Sequence, residues 1–411
     1  MRLAKTNTMR CFAVAMAIAL TGVLSAAHAG ALGAPYQPGG IPNIAKWAAM
    51  HASAGADGES VLVAGLEVNR YSSSGSPLWP VPLSIKGAVS IDAGADGSGN
   101  SVIVVETPGL NGIYATVYNR DGAVITPGFR VDQGSLINFS TPRVSVNSDG
   151  VFVVSWSRKD SETRFTRLSR TFNRNGTARG PEVVLQSGER VTTLDSSIDA
   201  NGRFTNLTAH TTITPDFEYP RFALTRFDSD GNVVSPFTYV TSPPTVAYPE
   251  FLAGNLSGDQ VVVWMHFTRG SDVGGIAFQR YSANGQLLGG NVVVDTSLRQ
   301  SYRAKVGVAD DGRFVVTWVA RANLSDPDAQ WALYGRQYAK DGTALGALFR
   351  IDDAPAENPL NYEHTLAMGS DGKFTVLWQQ HDGSQTSLWA RKYVFDNQPS
   401  TPATRPEAAT H

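Results

Sequence analysis

A motif of the form Asp-Gly-x-Phe-Val-Val-x-Trp recurs along this chain at intervals of roughly 40 to 60 residues, a period that points to stacked copies of one small structural unit. Its best copies run Asn147-Ser-Asp-Gly-Val-Phe-Val-Val-Ser-Trp156, Leu256-Ser-Gly-Asp-Gln-Val-Val-Val-Trp264, Ala309-Asp-Asp-Gly-Arg-Phe-Val-Val-Thr-Trp318 and Gly369-Ser-Asp-Gly-Lys-Phe-Thr-Val-Leu-Trp378. Gly58, Asn100, Gly150, Gly202, Gly258, Gly312 and Gly372 mark the first turn of seven copies. An aromatic residue then precedes a second turn in each: Tyr71, Tyr118, Phe172, Phe227, Tyr281, Tyr338 and Tyr393.

Each copy reads as four strands, a to d. Strand a is short and rich in small residues, as in Lys305-Val-Gly-Val-Ala309, and an Asp-Gly turn of the type I′ kind is expected to carry it into strand b. Strand b is apolar on both faces, so both must be covered. Prolines recur in strand d, at Pro80, Pro127, Pro181 and Pro236. Proline cannot donate to a ladder, so strand d is an outer edge and strand a lies at the centre. Sheets with two apolar faces bury both only when they stack in a ring. The expected fold is all-β: a seven-bladed β-propeller of four-stranded antiparallel blades.

The ends of the repeat array predict how that ring closes. The last copy has a strand c but no apolar strand after it, whereas Gly30-Ala-Leu-Gly-Ala-Pro35-Tyr36 has the form of a strand d lacking its strand c. Residues 30–36 are therefore expected to complete the last blade. Blade 1 is the weak member, because Val61 to Tyr71 leaves little room for two strands and a loop.

The combination of Asp-Gly-x-Phe-Val-Val-x-Trp, then Arg-Tyr-x-x-x-Gly, then a strand opening Leu-Gly resembles repeats of secreted bacterial β-propeller proteins. The resemblance covers nearly all of the chain after residue 29. It implies a fold and not a function, since such repeats serve unrelated roles.

Residues 1–29 read as an export signal, with Arg2, Lys5 and Arg10 before an apolar run and Ala27-His28-Ala29 as the cleavage site. Met9 offers an alternative start. The expected product is a secreted or periplasmic domain spanning 30–397, followed by a disordered tail at 398–411 rich in Pro, Thr and Ala. No later segment is long and apolar enough for a membrane helix, and a monomer is expected. Cys11 is the one cysteine and lies in the leader, which excludes disulfides, thiolate nucleophiles and Cys-ligated metals from the exported part. The chain has 34 basic against 36 acidic residues, and losing the leader makes it more acidic. With no basic stripe, nucleic acid is not an expected partner.

If both Asp-Gly turns share one face of the disc, the other face carries the longer b-to-c and d-to-a connections, the usual place for binding. The long b-to-c segments, 157–166, 209–219, 265–275, 319–331 and 379–387, place a groove over blades 3 to 7. Its candidate ligand-binding residues are His210, Tyr219, His266, Arg269, Asp272, Asp328, Trp331, His381 and Asp382, with Trp331 as the exposed aromatic. Converging imidazoles and carboxylates can hold a ligand or metal, but long surface loops are polar in any protein, and no metal or cofactor is assigned. Asp149 and Asp230 sit in fragments of oxygen-ligand loops that lack the distal glutamate calcium requires. The repeat also departs from that of sialidases, because Asp149 directly precedes its glycine and Trp156 lies too far on. No nucleophile elbow or zinc-binding helix motif occurs. The leading expectation is thus a non-catalytic module binding a glycan or protein. The alternatives are a carbohydrate-active hydrolase or lyase with its acid and base on the b-to-c loops, and a structural envelope or surface component.

Overall fold

In the computed structural model the described residues are 30–41, 49–55, 58–107, 109, 111–134, 141–189, 192–214, 217–240, 246–267, 274–295, 298, 300–321, 331–352, 363–381 and 385–396. They form seven antiparallel sheets, blades 1 to 7. Blade 1 holds β1–β4 (Met50–Ala54, Ser60–Ala64, Glu67–Tyr71, Leu83–Ser84) and blade 2 holds β5–β8 (Ser90–Ala95, Ser101–Thr107, Gly112–Tyr118, Val124–Arg130). Blade 3 holds β9–β12 (Arg143–Val146, Phe152–Lys159, Arg164–Phe172, Val183–Glu189) and blade 4 holds β13–β16 (Thr192–Ile198, Phe204–Thr214, Phe217–Phe227, Val233–Tyr239). Blade 5 holds β17–β20 (Val246–Gly254, Gln260–Phe267, Gly274–Tyr281, Val292–Val293) and blade 6 holds β21–β24 (Gln300–Val308, Phe314–Arg321, Trp331–Tyr338, Ala344–Arg350). Blade 7 holds β25–β27 (His364–Met368, Phe374–His381, Thr386–Tyr393).

The two-faced strand b explains why the blades stack. In β22, Phe314, Val316, Trp318 and Ala320 join the blade 5 side chains Val261, Ile276 and Phe278, while Val315 and Val319 join Phe374, Val376 and Trp378 of blade 7. Successive side chains of one strand thus serve two different neighbours, as the two-residue period of a strand requires. Seven apolar clusters each join two adjacent blades, and one of them unites Met50, Leu62 and Tyr71 of blade 1 with Leu377, Leu388 and Ala390 of blade 7. The ring is closed. The repeated tryptophans Trp156, Trp264, Trp318 and Trp378 all lie in these inter-blade cores.

The paired aromatics of the repeat fix the register between strands b and c. Phe152 faces Phe172, Phe204 faces Phe227, Phe314 faces Tyr338 and Phe374 faces Tyr393 as direct cross-strand partners. Their rings stack at centroid distances of 5.2, 4.7, 4.9 and 5.1 Å, an arrangement that a one-residue slip would destroy.

The a-to-b turns differ from the expected type I′ form. In the blade 3 turn, Asn147 N–H donates to Val151 O (2.9 Å) and Gly150 N–H to Asn147 O (3.0 Å). Gly150 has φ +81°, whereas Asp149 is not left-handed. A type I turn followed by a left-handed glycine forms a G1 bulge, and only one residue then needs positive φ. Blade 1, expected to be thin, is a complete four-stranded sheet, because Gly65 at φ +64° lets β2 turn into β3 through two residues. Pro127 and Pro236 lie in the outer strands β8 and β16, where the pairing slips past them, and Pro80 and Pro181 just precede β4 and β12.

Residues 30–36 complete blade 7. Leu32 N–H donates to Lys392 O (2.9 Å), Tyr36 and Ala390 exchange N–H···O bonds (2.9 and 2.8 Å), and Val394 N–H donates to Gly30 O (2.8 Å). Among the described residues no helix is long and apolar enough to cross a membrane. Residues 1–29 and 398–411, expected as leader and tail, lie outside the described residues.

Candidate functional site

Strand a of every blade contributes to an axial cavity of 470 Å³ lined by residues of β1, β5, β9, β13, β17, β21 and β25. Small residues are required along these strands because the blades converge there. A Cβ on Gly94 would stand 2.4 Å from the Val146 side chain of the next blade.

Against that background, one position per blade stands out. Four residues before the first residue of each a-to-b turn the chain places His51, Asp92, Arg143, Asp195, Phe251, Lys305 and Thr365 in turn. Three of these seven staple the inner strand of one blade to the next. Asp92 Oδ2 accepts the Val144 N–H (2.8 Å), Asp195 Oδ2 accepts the Leu252 N–H (3.2 Å), and Thr365 Oγ1 accepts the Ala52 N–H (3.1 Å). The other oxygens of the two aspartates accept the N–H of Ala93 (3.0 Å) and Ser196 (2.9 Å). These bonds satisfy inner-edge donors that would otherwise face the axis.

Burial dominates the protonation of this ring. It raises Asp92 to about 6 and Asp195 to about 7, although Arg143 pulls both carboxyls the other way. Burial, together with the positive charges of Arg143 and Lys305, holds His51 well below the usual imidazole value. His364 is likewise depressed by burial, Lys305 and Arg303, and its Nε2 lies 3.1 Å from Thr317 Oγ1. His51 Nδ1 is 3.8 Å from Asp92 Oδ1, too long for a hydrogen bond.

A second cavity, of 440 Å³, opens over blades 1 to 3 on the face of the b-to-c connections. Its walls include the blade 1 turn at Gly65 and Leu66, Glu106 at the end of β6, and Phe165 and Arg167 of β11. His51 and Arg143 line both this groove and the axial cavity, so the two spaces meet at those side chains. Neither Arg143 nor Arg167 makes a salt bridge among the described residues, although Arg143 lies in the field of Asp92 and Asp195. The two-residue turn of blade 1 leaves the depression that a longer connection would fill. Short loops, rather than long ones, make this groove.

The residues expected to bind ligand fall out differently. Strand pairing runs further than expected, so His210, His266 and His381 sit on β14, β18 and β26, opposite Arg221, Gly275 and Thr386. Tyr219 lies on β15 opposite Thr212, in a run of Thr and aromatic residues that favours a strand over a loop. The side chains of His210, Tyr219 and His381 lie outside the described residues, as do Arg269, Asp272, Asp328 and Asp382 entirely. The imidazole of His266 is half-buried and its pKa is lowered by burial. Trp331 is a correction. It is 6% exposed, not an open stacking platform. It opens β23 directly opposite Arg321, whose guanidinium covers its ring at 5.6 Å, and it packs on Tyr302 at 5.5 Å. No cluster of three metal-ligating side chains occurs among the described residues.

Sequence reasoning missed the strand a ring, yet a signal was present. Strand a is otherwise made of small and aliphatic residues, so an ionisable residue recurring at one fixed distance before the turn is out of place there.

Seven sheets stacked about a polar axis define a seven-bladed β-propeller. No protein-family model and no curated protein matches the sequence. Among solved structures the chain is similar to a polysaccharide lyase at 8% identity, with 89% of this chain and 100% of that one covered and a TM-score of 0.52. It is also similar to an ulvan lyase bound to -[GlcA(1-4)Rha3S]- at 11% identity, covering 87% and 96% of the two chains with a TM-score of 0.50. A Dyadobacter fermentans protein of unknown function matches at 11% identity over 88% and 99%, with a TM-score of 0.48. At such identities the likeness is one of fold.

Proposed function

We propose that this propeller binds a polysaccharide in the groove over blades 1 to 3, with the chain running to the mouth of the axial cavity. The observation that carries the reading is the junction at His51 and Arg143. It joins two spaces of ligand size, and it presents a guanidinium that makes no salt bridge among the described residues. The two lyases of like fold are in keeping with a sugar polymer as ligand. Export of the protein, expected from residues 1–29, would place it where such polymers are met.

A specific feature favours a second reading, a lyase. An imidazole held neutral at ordinary pH is in the state of a general base, and Arg143 lines the same space. In that reading His51 takes the proton next to a uronate carboxylate that Arg143 neutralises. The C–H electron pair becomes the new double bond, and the glycosidic oxygen leaves and takes up a proton. Hydrolysis by a carboxyl pair is less well supported, because both oxygens of Asp92 and of Asp195 are occupied by backbone N–H groups.

Affinity electrophoresis through gels containing a neutral glucan, a uronate polymer or a sulfated polymer tests both. The protein should be retarded by at least one polymer, and His51→Ala combined with Arg143→Ala should weaken retardation about tenfold. Release of an ultraviolet-absorbing unsaturated sugar, lost in His51→Ala while retardation persists, selects the lyase. Free migration through every gel rejects both readings.

A further inference from the structure

Arg167 is the buried side chain of this protein whose chemistry is least accounted for by the fold. Four arginines are buried among the described residues: Arg70, Arg167, Arg226 and Arg391. Three of them are answered by oxygen. Arg70 donates to Glu59 (3.0 and 3.2 Å) and to Ser101 Oγ (2.8 Å), Arg226 donates to Gln260 Oε1 (3.0 Å), and Arg391 donates to Gly33 O and Ile351 O (3.0 and 3.3 Å). Arg167 is 4% exposed, and its Nε and Nη1 are shut off from solvent without a hydrogen-bond partner in the structure. The ring of Phe165 lies 5.5 Å from its guanidinium carbon.

A buried cation with no counter-charge is costly, so proteins pair it or bring an anion to it. Burial already drags the Arg167 pKa down to about 10, the sign of a charge deprived of water and of a partner. The side chain projects from β11 opposite Ser157, and it lines the groove together with Ser157, Ser90, Arg143 and His51. A space of 440 Å³ lies within the range of roughly 300–1,000 Å³ typical of small-ligand clefts. A guanidinium is a strong charge-assisted donor to an oxygen of a carboxylate or a sulfate, and an anion held there also lies in the field of Arg143. Glu106 also lines the groove.

We propose that Arg167 is the anion-selecting residue of this groove, binding one anionic substituent, a carboxylate or a sulfate, on the sugar it receives. This deepens the polysaccharide reading and rests on it for the identity of the carrier, while the anion site itself is testable without a polymer.

The test is isothermal titration and thermal shift of the whole protein with sodium glucuronate, inorganic sulfate and glucose as probes. Three proteins are compared: wild type, Arg167→Gln and Arg167→Lys. Wild type should bind glucuronate or sulfate and not glucose, and whichever anion binds tells carboxylate from sulfate recognition. Arg167→Gln should lose at least tenfold in anion affinity while melting no lower than wild type, since it removes an unanswered charge. Arg167→Lys, which keeps the charge without the fork, should retain only part of the affinity, and it decides the matter if the glutamine variant does not fold. Equal anion binding by all three proteins, or no anion binding by wild type, overturns the proposal. Retardation by a neutral polysaccharide with no anion effect would overturn it and leave the polysaccharide reading standing. Anion binding lost in Arg167→Gln without binding of any polymer would do the reverse.

Discussion

A chain that begins at residue 37 instead of residue 30 is expected to melt about 5–10 °C lower and to self-associate through blade 7. The segment removed supplies four backbone hydrogen bonds to blade 7. Each contributes about 1 kcal/mol net, and each kcal/mol moves the midpoint of a protein of this size by about 2 °C. The ring should still form, because the buried members of the apolar cluster between blades 7 and 1 all lie outside the removed segment, which contributes only the partly buried Tyr36. Self-association follows from the loss of cover, since β27 would become an edge with unpaired N–H and C=O groups. Differential scanning calorimetry and light scattering read the two effects. A melt unchanged by the truncation would mean that blade 7 does not need its borrowed strand.

The second large effect concerns pH. Asp195 binds its proton at about 7 in the folded chain, against an ordinary aspartate value of 3.8. Between those values the folded state holds more protons than the unfolded state, so the contribution of Asp195 to stability is full below pH 3.8 and falls as pH rises toward 7. A difference of that size corresponds to a loss on the order of 4 kcal/mol. Asp92, raised to about 6, acts in the same direction and less strongly. His51 and His364 act oppositely. Their depressed values mean that stability is present above the ordinary imidazole value and lost as pH falls through it. Wild type alone therefore gives a flattened profile, and the clean readout is a difference. The melting temperature of Asp195→Asn minus that of wild type should rise by several degrees between pH 4.5 and pH 8, at about 2 °C per kcal/mol. Parallel melting curves across that range would mean that the Asp195 carboxyl titrates as it does in water.

Much of this fold was legible in the chain because every level of the repeat agrees. The Phe and Tyr residues that open strand b and close strand c are the pairs that stack and set the register. The two-faced run Phe314 to Trp318 predicted neighbours on both sides, and the strand-like Gly30 to Tyr36 predicted where the ring is latched. The site was less legible for two physical reasons. Long connections are the usual sign of a binding face, whereas the groove exists because Gly65 and Leu66 make one connection very short. The histidines at the ends of strand b are conspicuous in the sequence, yet strand b is one strand removed from the axis, and the residues that reach the axis come from strand a. Trp331 looked free because it breaks the repeat. Pairing with Arg321 extends the strand far enough to bury it.

The most direct test of the account is a crystal structure of the protein soaked with a uronate oligosaccharide. Sugar density in the groove between blades 1 and 3, reaching His51 and Arg143, with a carboxylate on Arg167, is the result predicted. Sugar bound over blades 4 to 7 or on the outer rim, with that groove empty, would contradict it.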